Sequence, residues 1–324
     1  MKKTGVLLVV LLAVAAFAQQ SDSAAASPSD QTTPSGTAFT SVSFPNERVQ
    51  TPTNADLYCA GFVNKQVLPN SNFVLGGLHS PNTTKFADND LIYLAGRGYQ
   101  AGQQYTIVRE LRDANRYEIF AGQHAMLAAM GQPYAELARV RIIDTRSKSA
   151  IAHVEFSCEP VDPGDIAIPF AEKQPVVFHP PLRFDRFAPS NGKTSGRIVL
   201  GKDFDSELGT GKKVYINVGT NQGIKVGDYF RAVRSYTADL NDPVDTLSFK
   251  ASTVEDTQNR EPNIEPRMLT KSGKGPTIRV ADYPRRAVGE IVVIGTTPTT
   301  ATGMIVFALE DLHLGDGVEL DQQQ

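Results

Sequence analysis

The sequence predicts a mainly β protein made of two duplicated small antiparallel β-barrel or sandwich domains, with one short helix in the insert of the first copy. Three observations carry this prediction. The chain contains an internal repeat, apolar residues alternate with polar ones inside the repeat, and clusters of Gly, Pro and Asp bound the alternating stretches. Because only two long copies are present, the pattern indicates a duplicated domain rather than a solenoid.

The repeat is clearest between residues 138–165 and residues 289–316, which align without a gap. Seven of the 28 aligned positions are identical, including the Gly-Asp pair that ends each copy. The apolar residues keep one parity, as in Val154 and Phe156, which is typical of half-buried strands. The only stretch with clear helical character is "FAGQHAMLAAM", residues 120–130, in the insert of the first copy.

The first 18 residues have the features of a secretory signal peptide. Lys2 and Lys3 precede an apolar run, and the small-x-small site "AFA" follows it. The run is shorter than the ~20 residues needed to span a bilayer. We expect cleavage after Ala18, export to the periplasm or cell exterior, and no transmembrane segment in the mature chain. An uncleaved membrane anchor is the alternative.

The remaining boundaries follow from composition. Residues 19–55 are rich in Ser, Thr, Pro, Ala and Gln, which predicts a disordered linker. The first β-domain is expected over residues 56–170, a proline-rich interdomain connector over residues 171–195, and the second β-domain over residues 196–320. The second domain contains a long, polar and charged insert, residues 235–286, which we expect to be flexible.

Charge and cysteine content narrow the class of protein. After the signal peptide is removed, 30 basic and 35 acidic residues remain, which disfavours a nucleic-acid partner. Both cysteines, Cys59 and Cys158, lie in the exported part, where disulfides persist. We predict an intradomain disulfide between them, with two free buried thiols as the alternative. Cys158 shares the parity of the apolar strand residues before it, so it should face the core.

A glycine-rich loop joins two predicted strands in "VYINVGTNQGIKVGDYFRAVR", residues 214–234. Its glycines are Gly219, Gly223 and Gly227. Glycines provide positive φ angles or room for a close backbone approach, and Asp228 is placed to accept a hydrogen bond in an Asx turn. Ile224 and Val226 should enter the core. A phosphate-binding loop would need a helix after the glycines, so a structural turn is favoured over a ligand loop.

Together with "AVGEIVVIGTTPTTATGMIVFALEDLHLGDGVEL", this loop resembles the carboxy-terminal domain of the flagellar assembly protein T, which is similar to domains of other secreted bacterial envelope proteins. The resemblance is best over residues 197–320 and weaker over residues 59–170. The matching positions are Tyr215, Gly219, Gly223, Gly227, Asp228, Gly289, Glu290, Gly315 and Asp316. Because the family's domains are small β-structures without known catalytic residues, the resemblance implies a structural or assembly role in the envelope.

No catalytic or metal-binding motif stands out. The five histidines lack paired-ligand spacing, and the two cysteines form no Cys-x-x-Cys motif. We therefore expect a non-enzymatic exported envelope protein, without cofactor or metal, that binds another envelope protein or itself. A glycan- or peptidoglycan-binding module is the alternative, although the chain has no Trp to serve as a stacking platform. A hydrolase with a dispersed site is a third hypothesis.

Overall fold

The structure is a computed structural model that describes residues 49–112, 117–177, 185–235 and 284–321, and the backbone alone of residues 263–265 and 277–279. The predicted signal peptide and residues 19–48 of the predicted linker lie outside the described residues. Within the described ranges, no helix combines the length and the apolar character that crossing a membrane requires.

The first barrel is closed by six antiparallel strands. In chain order they are β2 (Phe73–Gly77), β3 (Leu91–Ala95), β4 (Gln104–Glu110), β5 (Gln132–Asp144), β6 (Ala150–Ser157) and β7 (Ile166–Pro169). Around the barrel the order is β5–β4–β7–β2–β3–β6, and β6 pairs back with β5. A short earlier strand, β1 (Phe62–Asn64), pairs with the start of β5.

The second barrel repeats this connectivity strand for strand. Its six strands are β8 (Ser195–Gly201), β9 (Lys213–Ile216), β10 (Tyr229–Arg234), β13 (Arg286–Thr296), β14 (Ala301–Ala308) and β15 (Gly317–Asp321). Between β10 and β13 lie β11 (Asn263–Glu265) and β12 (Thr277–Arg279), which pair with each other in parallel. The barrel order is β10–β13–β14–β9–β8–β15, closed by pairing of β15 with β10. The predicted fold class is therefore confirmed.

Both barrels have β-bulges at equivalent positions. The register shift between Ile107 and Val108 in β4 has its counterpart between Ala232 and Val233 in β10. The two shifts in the pairing of β5 with β6 recur in the pairing of β13 with β14. A bulge bends a strand and increases its local twist, and such bends are what allow a small sheet to close. The duplication thus extends from the sequence to the backbone geometry.

Each barrel encloses its own apolar core. Inward residues such as Val140 and Val154 in the first barrel, and Ile291 and Ile305 in the second, are fully buried. Burial of one such side chain stabilises the fold by about 1.5–3 kcal/mol relative to exposure. The alternate residues of each strand point outward, and it is on the outside that the two barrels differ.

Within the described ranges, two α-helices lie outside the barrels. The first, α1 (Asn54–Tyr58), begins inside the stretch expected to be a disordered linker. Its start is capped reciprocally, because the Thr53 hydroxyl accepts from the Asp56 backbone N–H and the Asp56 carboxylate accepts from the Thr53 backbone N–H. The second, α2 (Gln123–Met130), is the helix expected over residues 120–130. It begins at Gln123 because Gly122, with φ of 83°, adopts a left-handed conformation that ends the preceding turn.

The predicted insert, residues 235–286, lies largely outside the described residues. Its described parts are Ser235, the backbones of β11 and β12, and the last residues before β13. Residues 178–184 of the predicted connector are likewise outside the described ranges. The flexibility expected for the insert stays a prediction.

Candidate functional site

The glycine-rich loop of the second copy crosses one end of its barrel, because β9 and β10 are not neighbours around the barrel. Gly223 and Gly227 have left-handed φ values of 82° and 93°. Gly219 is extended, but a Cβ there would lie 2.4 Å from the carbonyl oxygen of Thr297. Asp228 accepts a hydrogen bond from the backbone N–H of Lys225 at 2.8 Å. Positive φ and close approach therefore account for the three glycines, and the loop is a structural turn.

The two apolar residues of this loop differ in burial. Ile224 is 1% exposed and belongs to the core of the second barrel. Val226 is 37% exposed, so the expectation that it enters the core is wrong. The reason is that Val226 lies inside a tight turn over residues 225–228, closed by a hydrogen bond from the Asp228 backbone N–H to the Lys225 carbonyl oxygen at 3.2 Å, so the alternation of a strand does not extend to it.

The final Gly-Asp of each copy anchors an arginine. Asp316 accepts two hydrogen bonds from the guanidinium of Arg234, at 2.9 and 2.8 Å. Asp165 accepts two from Arg109, at 2.8 and 2.7 Å. Each arginine also donates to a backbone carbonyl in the turn before the aspartate, at 2.7 Å in the second copy and 3.0 Å in the first. Asp316 belongs to a motif that is visible in the sequence, whereas its arginine partner belongs to none, although both copies carry an arginine at the end of the same strand.

Gly289 and Glu290 lie where β13 bulges. A Cβ on Gly289 would lie 2.5 Å from the carbonyl oxygen of Phe307, so a larger residue would push the neighbouring strand away. Glu290 lies opposite Arg231 of β10, and the residue is only 6% exposed. Burial, reinforced by the charge of Asp321, raises the pKa of Glu290 to about 7, while Arg231 opposes the rise. Such a shift occurs in catalytic groups and in structural charge networks alike.

Tyr215 is part of a contact between the second barrel and a segment that precedes the first. Its ring is fully buried, its hydroxyl donates to the carbonyl oxygen of Ala60 at 3.0 Å, and burial raises its pKa. The hydroxyls of Thr300 and Thr302 donate to carbonyl oxygens of the same segment at 2.8 and 3.1 Å. Three side chains of the second barrel thus hold the backbone of residues 60–63.

The insert of the first copy also packs on the second barrel. Phe120 is 1% exposed, belongs to the core of the second barrel, and lies over Gly315, where a Cβ would be 3.0 Å from its ring. Buried Gln123 donates through Nε2 to the carbonyl oxygen of Val199 on β8 at 3.0 Å. Met130 packs with Val199 in an apolar cluster. We call this contact, together with the contact of α1 and residues 60–63, the seam.

A disulfide ties the seam to the first barrel. Cys59 and Cys158 are bonded, with an S–S distance of 2.05 Å, which confirms the predicted pair. Cys158 directly follows β6 and is half-buried rather than core-facing, because the strand has ended there. Cys59 follows α1, whose Leu57 packs against the outer wall of the second barrel. The disulfide therefore links the wall of the first barrel to the segment that covers the second barrel.

An open cleft of about 500 Å³ runs along the seam. In it, the Lys173 Nζ donates to the Glu136 carboxylate at 2.7 Å and to the carbonyl oxygen of Leu57 at 2.7 Å. The backbone N–H of Gly61 donates to the same carboxylate at 3.1 Å. Burial raises the pKa of Glu136 more than these partners lower it. Glu136 and Lys173 are thus bonded to each other and to the backbone that they hold in place.

Comparison with known proteins assigns no family, because no protein-family model and no curated protein matches the chain. Among the described residues, no three His, Cys, Asp or Glu side chains are grouped so as to hold a metal ion. What the geometry does show is a wall of the second barrel that packs against segments from the first half of the same chain, through an apolar surface and a few hydroxyl and amide donors.

Proposed function

We propose that this chain is a non-catalytic, exported protein of the bacterial cell envelope that works by binding other polypeptides on its barrel walls. The seam is the observation that carries the proposal. There, the outer wall of the second barrel binds α1, residues 60–63 and α2 at once, which are helical and extended segments of quite different shape. Recognition of this kind uses backbone hydrogen bonds for affinity and apolar pockets for specificity.

Export to the periplasm or cell exterior is the second part of the proposal. It is supported by the signal-peptide pattern of residues 1–18 and by the disulfide, because disulfides persist in oxidising compartments.

The proposed assembly role is supported by the resemblance to the carboxy-terminal domain of the flagellar assembly protein T. Two of the residues that carry this resemblance, Tyr215 and Gly315, contact the segments bound in the seam. The partner would be another envelope protein or a second copy of the chain.

The test is affinity capture with the mature chain, residues 19–324, with its disulfide intact. Envelope extracts should yield the same protein in replicate captures, and an excess of untagged chain should compete it away. Cross-links identified by mass spectrometry should fall on barrel walls rather than on the cleft that contains Glu136. The matched control is the same capture with denatured chain as the bait, since an unfolded chain has no barrel wall.

Two results would redirect the proposal. Retention on purified peptidoglycan, in place of any protein, would favour the glycan-binding alternative. Turnover of an ester, peptide, glycoside or phosphate substrate, abolished by Glu290→Gln or Glu136→Gln in a chain that still folds, would overturn the proposal in favour of an enzyme.

A further inference from the structure

Among the residues that the structure describes, none covers on the first barrel the wall position that α2 covers on the second. The strand registers establish the equivalence. The pairing of β2 with β3 shifts at Leu75, and the pairing of β8 with β9 shifts at Val199. Leu75 therefore occupies in the first barrel the place of Val199, the residue whose carbonyl oxygen accepts from Gln123 of the seam.

The two positions differ sharply in exposure. Val199 is fully buried beneath α2, whereas Leu75 is 50% exposed and nearby Leu78 is 56% exposed. The same contrast holds at the equivalent glycines. Gly315 packs against Phe120, but a Cβ on Gly164 would meet no heavy atom within 4 Å. We call Leu75, Leu78 and Gly164 the Leu75 face.

We propose that the Leu75 face binds the residues that join β10 to β13 in a second copy of the chain. This inference rests on the proposed function and deepens it by naming the partner and the surface. Chain position carries the argument. The residues that join β4 to β5 leave the first barrel and cover the Val199 position of the second, and the residues that join β10 to β13 leave the second barrel between the equivalent pair of strands.

The sequence of the joining residues fits this role. Large apolar residues stand in pairs within an otherwise polar stretch, Leu247 with Phe249 and Met268 with Leu269. The insert of the first copy uses a phenylalanine, Phe120, as its buried anchor. Binding energy at protein surfaces is concentrated in a few such apolar anchors.

The proposed contact is heterologous, since a face on one chain meets a different segment on the next. Head-to-tail contacts leave a free face at one end and a free segment at the other. This property gives the inference a test that a symmetric dimer would fail.

The experiment measures self-association of the disulfide-intact mature chain by sedimentation, up to about 100 µM. Leu75→Glu combined with Leu78→Glu should weaken association at least about tenfold, and Phe249→Glu should weaken it similarly. The matched control is Ile143→Glu, because Ile143 is 49% exposed on β5 of the same barrel but lies outside the Leu75 face. Since the substituted leucines are exposed, the fold should be retained, which circular dichroism checks.

Mixing the two defective chains is the decisive step. A chain with the altered face still has an intact joining segment, and the Phe249→Glu chain still has an intact face. A mixture should therefore form a one-to-one dimer that neither chain forms alone. With one chain isotope-labelled, cross-links of Lys85 on the first barrel to Lys250 of the joining segment should connect labelled with unlabelled chains.

Three outcomes would overturn the inference. They are a mixture that stays monomeric while the unaltered chain associates, association that is insensitive to both changes, and cross-links that form only within one chain. A chain that is monomeric at every concentration but still captures an envelope protein would also overturn it, while leaving the proposed function standing.

Discussion

The two barrels are alike inside and unlike outside. On the second barrel, the outward residues Val292 and Val306 are buried at 0% and 2% and pack with Leu57 of α1. The equivalent residues of the first barrel are Arg141 and Glu155, which form an ion pair and whose side chains are 45% and 19% exposed. Inward residues stay apolar in both copies because each copy must fill its own core. Outward residues are apolar where another segment of the chain covers them, and charged where the wall is open to solvent.

The largest expected effect comes from removing the disulfide that ties the first barrel to the cover of the second. Its cysteines are 99 residues apart, and closing a loop of about 100 residues contributes about 4.7 kcal/mol on the chain-entropy model. Changing Cys59 and Cys158 to Ser should lower the free energy of unfolding by about 4 kcal/mol, measured by urea denaturation.

Hydrogen exchange in the double Cys→Ser variant compares the two barrels. Amides of β13 and β14 should exchange faster in the double variant, because α1 loosens from that wall. Ser157→Ala, next to the disulfide but leaving it intact, is the control. An unchanged urea midpoint in the double variant would show that the bond does not stabilise the seam.

An effect of comparable size is expected from Phe120→Ala, which tests whether the insert of the first copy completes the second barrel. Truncating a buried phenylalanine costs about 3–5 kcal/mol. The increase in hydrogen exchange should appear in β8 and β15, far along the chain from the substitution. Tyr117→Ala is the control, since Tyr117 is 85% exposed. Faster exchange confined to the first barrel would contradict this view of the seam.

The third prediction concerns Arg234 and Arg109, which occupy equivalent positions in the two barrels. The side chain of Arg234 is 8% exposed and that of Arg109 is 30% exposed, while each aspartate partner is 5% exposed. Arg234→Ala should cost about 3–5 kcal/mol because it leaves a buried carboxylate without its partner. Arg109→Ala should cost less, since water reaches that pair. Denaturation of both variants measures the two losses of stability, and Arg112→Ala, at an 88% exposed side chain, is the control. Equal losses for Arg234→Ala and Arg109→Ala would refute the ranking.

The smallest expected effect concerns Glu290, whose equivalent in the first barrel is Arg139, over the ring of Phe170. The pKa of Glu290 is raised from 4.5 to about 7 in the folded chain. The folded chain therefore binds this proton more tightly than the unfolded chain, and stability falls as pH rises through that window. Glu290→Gln should stabilise the protein above pH 7, by at most about 3 kcal/mol, and have little effect below pH 4.5.

Urea denaturation across this pH range measures the Glu290 effect, and Glu172→Gln, at an exposed residue, is its control. If the difference in unfolding free energy between the Glu290→Gln variant and the unaltered chain shrank as pH rose, the predicted direction of the pH dependence would be wrong.

The fold class could be predicted from the sequence because core filling constrains each copy separately. Val154 and Ile305 keep one parity in the two copies and both are fully buried, so the repeat and the alternation point to the same barrel. Local turn chemistry was also readable, since Gly223 and Asp228 depend only on their near neighbours.

The seam could not be predicted in the same way, because its contacts join residues far apart in the chain. The hydroxyl of Tyr215 bonds to a carbonyl oxygen 155 residues away. One signal was present in "EIVVIG", where β13 is apolar on both faces while the equivalent β5 alternates. A strand that is apolar on both faces indicates that something covers it. It does not indicate what.

The seam also gives a direction to the folding of the chain. Every segment that covers the second barrel through α1, β1 and α2 is synthesised before β8 begins, as are both cysteines. Domains generally fold as units with the amino-terminal one first. We therefore expect the second barrel to assemble against an already folded first half, which would offset the slow search expected for contacts spanning 237 and 241 residues. A circular permutant starting at β8 would make the apolar wall first, and Val292 and Val306 would wait uncovered, open to aggregation, until the first half followed.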